Sequence, residues 1–247
     1  MRARAAGCAW LLTMILAGCG SDAEPLPVSN GQGPAPFDPD QTYQPSVTAT
    51  SLSPEITNPL FPAPVGARWV YESQTEDGVE RAEVVVLPDT RAVWGATGRI
   101  LHDTVFLDGE MIEDTFDWYG QDDAGNVWYL GEDTHEYEDG QVVCACGSWE
   151  SGLNDALPGV NMLGTPTVGS VYRQEYLAGE AEDVAQVVSL SESVTVAAGS
   201  FSGCLKTRDR SAIDPALDEF KYYCPGIGTV LVEEGDVREE LIEYSGL

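Results

Sequence analysis

Short runs of apolar and aromatic residues recur along residues 69–244, and Gly, Pro, Asn or Asp separates each run from the next. Strand signals at this spacing, roughly every ten residues, are typical of antiparallel all-β proteins. No apolar stripe at helical spacing follows the N-terminal segment. The pattern predicts strands at residues 69–71, 83–87, 104–107, 111–119, 135–137, 142–149, 171–177, 184–190, 194–197, 204–208, 220–224, 229–233 and 239–244.

The most aromatic of these segments, residues 116–131, predicts a β-hairpin at the centre of the sheet. Two aromatic runs flank a polar loop that we place at residues 121–125. Aromatic residues suit a half-buried pleated surface, and Gly and Asn accept the positive φ of a tight loop. With this loop, Trp118 faces Trp128 and Phe116 faces Leu130.

Three Asp-Gly pairs, at residues 77–78, 108–109 and 139–140, predict further hairpins, because type I′ turns require positive φ at both central residues. Residues 153–167, rich in Gly and Pro, interrupt the pattern and predict a long loop. Many short antiparallel strands must close on themselves or stack in two layers to bury one face. We therefore predict an antiparallel meander that forms a curved or partly closed barrel, with a two-sheet sandwich as the alternative.

The N-terminus has the pattern of an export signal. A basic start precedes an apolar run over residues 5–16, which is shorter than the roughly 20 residues that span a bilayer. The sequence Leu-Ala-Gly-Cys at residues 16–19 resembles the lipobox of bacterial lipoproteins. This resemblance implies removal of residues 1–18 and lipid attachment to Cys19, which would anchor the protein to a membrane. Gly20, rather than Asp, follows the cysteine, and by resemblance to enterobacterial lipoprotein sorting this favours the outer membrane.

Composition divides the remaining chain into a tether and one domain. Residues 19–58 are rich in Pro, Ser, Thr and Gly and predict a disordered tether, whereas residues 59–247 predict a single antiparallel β domain. The chain has 12 basic and 41 acidic residues, a formal net charge of −29 at pH 7. Such a charge argues against binding to nucleic acid or to anionic lipid headgroups.

Four cysteines follow the anchor residue, an even number that favours disulfides in an exported protein. Cys204 and Cys224 lie on strands close in sequence, so a cross-strand disulfide between them is the first choice. Cys144 and Cys146 share one face of a predicted strand, where a direct bond would strain the strand. Each of them bonding to one of the other two is the alternative. Paired thiolates at Cys144 and Cys146 would also suit extracytoplasmic Cu(I) or Zn(II).

No catalytic motif is complete, so we predict a protein that is not an enzyme and needs no cofactor. The segment 199–203 has Phe at its centre, where a nucleophile elbow requires Ser. The loop 122–126 lacks the second ligand of a calcium-binding loop, which favours a simple turn. Acidic residues at 110, 113, 114 and 117 predict a solvated strand face rather than an acid–base pair.

The aromatic residues of the central hairpin allow two interpretations. They could fill the hydrophobic core, or they could line a cavity for an apolar small molecule. The candidate lining residues are Trp118, Tyr119, Trp128 and Tyr129.

Four stretches, residues 66–71, 117–129, 198–201 and 222–230, together resemble a family of bacterial secreted proteins and lipoproteins for which no activity is known. The most specific of them reads Tyr-Tyr-x-Pro-Gly-x-Gly-x-Val. The resemblance covers about residues 59–244 and implies a β-rich extracytoplasmic domain, with no catalytic residue to carry over. We therefore expect a membrane-anchored lipoprotein with a binding or structural role at the bacterial envelope, where an apolar small molecule or an envelope protein is the expected partner.

Overall fold

A computed structural model describes residues 43–211 and 213–247, so the predicted signal peptide, Cys19 and residues 19–42 of the predicted tether lie outside the described residues. No helix in the described part is long and apolar enough to cross a bilayer. A 3₁₀ turn spans Ala49–Ser51. The strands are β1 (Arg68–Gln74), β2 (Val79–Val93), β3 (Ala96–Leu107), β4 (Glu110–Gln121), β5 (Val127–Glu138), β6 (Gln141–Cys144), β7 (Trp149–Glu150), β8 (Gly159–Met162), β9 (Val171–Arg173), β10 (Asp183–Val196), β11 (Gly199–Ser211), β12 (Glu219–Cys224), β13 (Gly228–Glu234) and β14 (Val237–Ser245).

All of these strands belong to one antiparallel sheet, which confirms the predicted all-β meander. The strand order is β6-β5-β4-β3-β2-β1-β14-β13-β12-β11-β10-β9, and β7 and β8 also pair with β5. Most neighbours in space are neighbours in sequence, and β1 pairs with β14 to join the two halves. No continuous ladder closes the sheet within the described residues. Its two ends meet at one isolated bridge between Leu157 and Tyr176.

Two of the three Asp-Gly pairs form the type I′ turns that the sequence predicts, whereas Asp77 does not have positive φ. Asp108 and Gly109 have φ values of 49° and 87°, and Asp139 and Gly140 have values of 51° and 70°. Positive φ at both residues is the type I′ geometry whose twist matches that of the flanking strands. These turns join β3 to β4 and β5 to β6, and Gly78 lies in the turn from β1 to β2.

The predicted register of the central hairpin is wrong. Trp118 pairs with Gly131 rather than with Trp128, and a bulge separates this pair from the next. The cause is the Asp122 carboxylate, which accepts hydrogen bonds from the backbone amides of the loop and from the Trp128 indole at 2.8 Å. The loop therefore occupies residues 122–126. Trp128 pairs with Gly120, and Phe116 pairs with Asp133 rather than with Leu130.

The predicted loop over residues 153–167 contains a strand, β8, which is completely buried and pairs with β5. This strand is too short for alternation to reveal it, and Gly159 has a structural reason to be glycine. A Cβ at Gly159 would collide with the backbone of Gln174 and Glu175. This close approach places β8 beside the segment that follows β9, next to the Leu157–Tyr176 bridge.

Residues 43–58, which we call the strap, pack on the domain although the sequence predicted them as the last part of the tether. Val47 and Ile56 are buried, and Ser53 forms an isolated bridge with Gln121. The Tyr43 hydroxyl donates to the Pro158 carbonyl at 2.8 Å. The chain therefore packs on the domain well before the predicted boundary at residue 58, because apolar side chains such as Val47 and Ile56 are buried there.

Candidate functional site

The residues beside the two ends of the sheet meet at the Leu157–Tyr176 bridge. We call the face that carries the buried side chains of Tyr71, Leu101 and Tyr119 the inner face. On several strands the inner face changes from apolar to polar towards the end that carries the Asp-Gly turns. Val105 on β3 is an exception to this order. The pairs that mark the change are Tyr71 and Ser73 on β1, Ala82 and Glu80 on β2, Leu101 and Asp103 on β3, Tyr119 and Asp117 on β4, Tyr223 and Lys221 on β12, and Leu241 and Glu239 on β14.

The described residues bury far more acidic than basic side chains. Placing an ionised carboxylate in the protein interior costs several kcal/mol unless a cation or several donors compensate it. The buried basic residues are Arg99, Arg173 and Lys221. The buried acidic residues are Glu80, Asp103, Asp117, Glu132, Glu175, Asp183, Asp209, Glu219 and Glu239.

One group of these acids lies on β3, β4 and β5 together with two threonines. Alternation along β4 places Glu113, Thr115 and Asp117 on the same face. Asp103 of β3 is directly opposite Thr115. On β5, Glu132 pairs with Asp117 and Thr134 pairs with Thr115. We call these six residues the oxygen cluster: Asp103, Glu113, Thr115, Asp117, Glu132 and Thr134.

Hydrogen bonds connect four members of the oxygen cluster in a row. The Thr115 hydroxyl lies 3.0 Å from a Glu113 oxygen and 3.2 Å from the Thr134 hydroxyl. Thr134 in turn donates to Glu132 at 2.8 Å. These three contacts need three protons, and the two hydroxyls supply only two. Burial, followed by the negative charge of Asp117, raises the pKa of Glu132, and the hydrogen bond from Thr134 opposes this shift.

The two aspartates of the cluster are less well compensated. One oxygen of Asp117 accepts a hydrogen bond from the Tyr129 hydroxyl at 2.6 Å, and its other oxygen has no partner. Asp103 is 1% exposed, and neither of its oxygens has a side-chain partner. Burial, followed by the negative charges of Glu113 and Glu239, raises the pKa of Asp103 well above its usual range.

The acids on β10 to β12 differ because a cation accompanies them. The Lys221 ammonium lies 2.8 Å from a Glu219 oxygen and 3.4 Å from an Asp209 oxygen. Burial raises the pKa of Glu219 to about 7 and that of Asp183 to about 6, and Lys221 opposes both shifts. Lys221 therefore neutralises part of the negative charge on this half of the inner face.

The four aromatic residues predicted as a ligand cavity do not converge on one space. Tyr119 and Tyr129 stack at a centroid distance of 4.8 Å on the inner face, where both are completely buried. Trp118 and Trp128 lie elsewhere, since Arg91 covers the Trp118 ring at 3.8 Å and Trp128 bonds to Asp122. All four serve as packing.

One cavity at the apolar end of the inner face has a volume of about 10 Å³, and none of those four residues lines it. This volume holds about one water molecule and no apolar ligand of useful size. Its lining residues are Phe61, Pro62, Trp69, Tyr71, Leu101, Gly228 and Thr229.

The cysteines form two disulfides in the structure. Cys204 is bonded to Cys224, as predicted. Cys144 is bonded to Cys146, contrary to the expectation that a direct bond would be strained. Cys144 is the last residue of β6 and the chain turns at Cys146, so the two are not held on one regular strand. Among the described residues, no three His, Cys, Asp or Glu side chains already stand together as a metal site.

The sequence did not reveal the oxygen cluster, because residues 110–117 were interpreted as a solvated strand face. That interpretation is wrong for Asp117, which is completely buried. Phe116 instead lies on the outer face, where it stacks on His102 at a centroid distance of 4.3 Å. The available signal was period-two alternation, since Thr115 and Asp117 share a face with Tyr119.

No known protein family, curated protein or solved structure matches the chain. The resemblance to bacterial secreted proteins and lipoproteins therefore stays a prediction.

Proposed function

We propose that the protein is a non-enzymatic lipoprotein of the bacterial envelope that binds a cationic ligand at its acidic inner face. The export signal and the cysteine at residue 19 support anchoring by lipid, most simply in the outer membrane. Two disulfides are consistent with an exported protein, since such bonds persist outside the cytosol.

The observation that carries the binding proposal is the excess of buried acid: nine buried carboxyl groups against three buried basic side chains in the described residues. Each uncompensated carboxylate destabilises the folded state. A ligand that supplies positive charge is therefore favoured by the same electrostatics that penalise buried carboxylates.

Two other binding functions fit less well. A soft metal at Cys144 and Cys146 requires free thiolates, whereas these sulfurs are bonded to each other. An apolar small molecule requires a larger cavity than the one at the apolar end of the inner face, which holds about one water molecule.

The contacts of His102 on the outer face differ from those of a catalytic triad. His102 Nε2 lies 2.6 Å from Asp114 and 3.4 Å from the Thr104 hydroxyl. A catalytic histidine uses one ring nitrogen for the nucleophile and the other for the orienting carboxylate. Because both contacts here involve the same nitrogen, the imidazole cannot connect Thr104 with Asp114 in that way.

Cation binding is tested by thermal unfolding of the mature chain with Cys19→Ser, which keeps it soluble. Calcium, magnesium and spermidine are each titrated against sodium chloride of equal ionic strength. A ligand at about 100 times its Kd stabilises by about 2.7 kcal/mol, which is a rise in Tm of roughly 5–10 °C. Absence of a saturable rise with every cation would refute the binding proposal.

Anchoring is tested separately with labelled fatty acid in cells that express the full chain. We expect label on the unaltered protein and none on the Cys19→Ser variant. Equal labelling of both, or of neither, would contradict the lipid anchor.

A further inference from the structure

The disulfide between Cys144 and Cys146 lies at an exposed edge of the sheet. Cys144 is the last residue of β6, which begins the strand order and pairs with β5 alone among the described strands. Val142 and Val143 on this strand are each 51% exposed. Cys146 is exposed and Cys144 is half-buried, so a thiol in solution can approach the Cys146 sulfur.

The two disulfides of the described residues differ in what they hold together. Cys204 and Cys224 join the neighbouring strands β11 and β12 with a sequence separation of 20, and both are almost completely buried. Cys144 and Cys146 have a sequence separation of 2 and link the end of β6 to the turn before β7. Because a short loop restricts the unfolded chain less than a long one, this second bond stabilises the fold less. Exposed disulfides are also the ones that exchange most readily with external thiols.

The charge around the exposed disulfide is negative. Glu136 on β5 is directly opposite Cys144. Residues 127–148 contain no Lys or Arg, and their histidine, His135, lies 3.8 Å from Asp133. The acids of this stretch are Glu132, Asp133, Glu136, Glu138 and Asp139. Exchange requires a thiolate that brings its own negative charge, so these acids oppose an anionic thiol and favour one that also carries a positive charge.

We propose that the Cys144–Cys146 disulfide is an exchange site that oxidises cationic thiols, molecules that carry a thiol close to an ammonium or guanidinium group. The accessible Cys146 sulfur provides the point of attack, and the acids around Glu136 select the charge of the thiol. This activity goes beyond cation binding at the inner face and does not depend on it.

The exchange takes two steps in which atoms and electrons balance. The thiolate of a first cationic thiol attacks the Cys146 sulfur and forms a mixed disulfide, while the Cys144–Cys146 bond breaks and Cys144 takes up the proton that the attacking thiol released. The thiolate of a second thiol attacks the sulfur of the first, and Cys146 leaves and is protonated in the same way. The two thiols have then lost two electrons to become one external disulfide, and the protein disulfide has gained them to become two thiols.

The test is the reaction of the mature chain carrying Cys19→Ser with cysteamine, a cationic thiol, under native conditions. Free thiols are alkylated at intervals, and peptide mass mapping follows each cysteine. We expect Cys144 and Cys146 to be alkylated at least about tenfold faster than Cys204 and Cys224, which burial protects. Equal rates for the two pairs, or a Cys144–Cys146 bond that survives the treatment, would overturn the proposal.

A second comparison tests the preference for positive charge. The rate with cysteamine is compared with that of mercaptoacetate, an anionic thiol, and each is divided by its rate with a capped cyclic Cys-Ala-Cys peptide to remove the difference in intrinsic reactivity. We expect a preference of about threefold or more for cysteamine, which should shrink in Glu136→Gln. Glu243→Gln on β14, at a side chain that is 61% exposed, is the control and should keep the full preference. No preference, or the same preference in both variants, would overturn the assignment to cationic thiols.

Discussion

Raising the pH from about 5 to about 8 should destabilise the folded protein, and Glu219 allows the size of the effect to be worked out. Its folded pKa of about 7 exceeds the ordinary value of 4.5, chiefly because the carboxyl is buried. The folded state therefore holds a proton that the unfolded chain releases, and stability is lost as pH rises through this window. At about 1.4 kcal/mol for each unit, Glu219 alone accounts for roughly 2–3 kcal/mol between these two pH values.

The assay is urea unfolding at a series of pH values in the presence of a chelator, with Glu219→Gln as the perturbation. The unaltered chain should lose stability as pH rises, with Asp183 adding to the loss because its pKa is raised to about 6. The variant should lose roughly 2–3 kcal/mol less over the same range. Glu243→Gln, at a side chain that is 61% exposed, is the control and should follow the unaltered chain. If Glu219→Gln leaves the slope unchanged, the buried-carboxyl reasoning is refuted.

Three further predictions concern stability, each measured by denaturant unfolding. Replacing both Cys204 and Cys224 with Ser opens a loop with a sequence separation of 20 and should cost about 3 kcal/mol, whereas equal stability under reducing and non-reducing conditions would contradict this. Gly131→Ala should cost about 3 kcal/mol or more, since φ is 135° and the new Cβ would meet the Trp149 carbonyl. Its control, Gly140→Ala, has φ 70° and open space around the new Cβ, and it should cost only about 1–2 kcal/mol. Equal costs for the two variants would refute the steric argument. Asn58→Ala removes hydrogen bonds to the Gly125 and Leu163 carbonyls and should cost about 1–3 kcal/mol, with faster hydrogen exchange in the strap; unchanged exchange there would show that these bonds do not hold it.

The elements that the sequence predicts well are those with a local cause. Asp108–Gly109 and Asp139–Gly140 determine their own turns through φ, and the hairpins follow from them. The Cys204–Cys224 bond follows from two strands that are close in sequence. These features need no knowledge of the rest of the chain.

The elements that were missed depend on distant contacts. The register of the central hairpin depends on which atoms Asp122 captures, and β8 depends on the approach of Gly159 to Gln174. The strap is ordered by contacts such as Ser53 with Gln121, which are far apart in sequence. None of these has a periodic signal of its own.

The oxygen cluster was missed for a different reason. Acidic residues on a strand are normally solvated, so the acids between residues 110 and 117 predicted a solvated strand face. Alternation from Tyr119 would have placed Asp117 and Thr115 inside. The general preference for exposed carboxylates outweighed the local pattern and gave the wrong face.

The change from apolar to acidic along the inner face also bears on how the strands align during folding. A slip of two residues returns every side chain to its own face, so alternation alone cannot prevent it. Here such a slip would move Asp117 into the position where Tyr119 packs on Phe61 at a centroid distance of 5.0 Å. A carboxylate among aromatic rings is so unfavourable that the misaligned pairing would be rejected. The buried acids therefore disfavour a two-residue shift in the register of neighbouring strands.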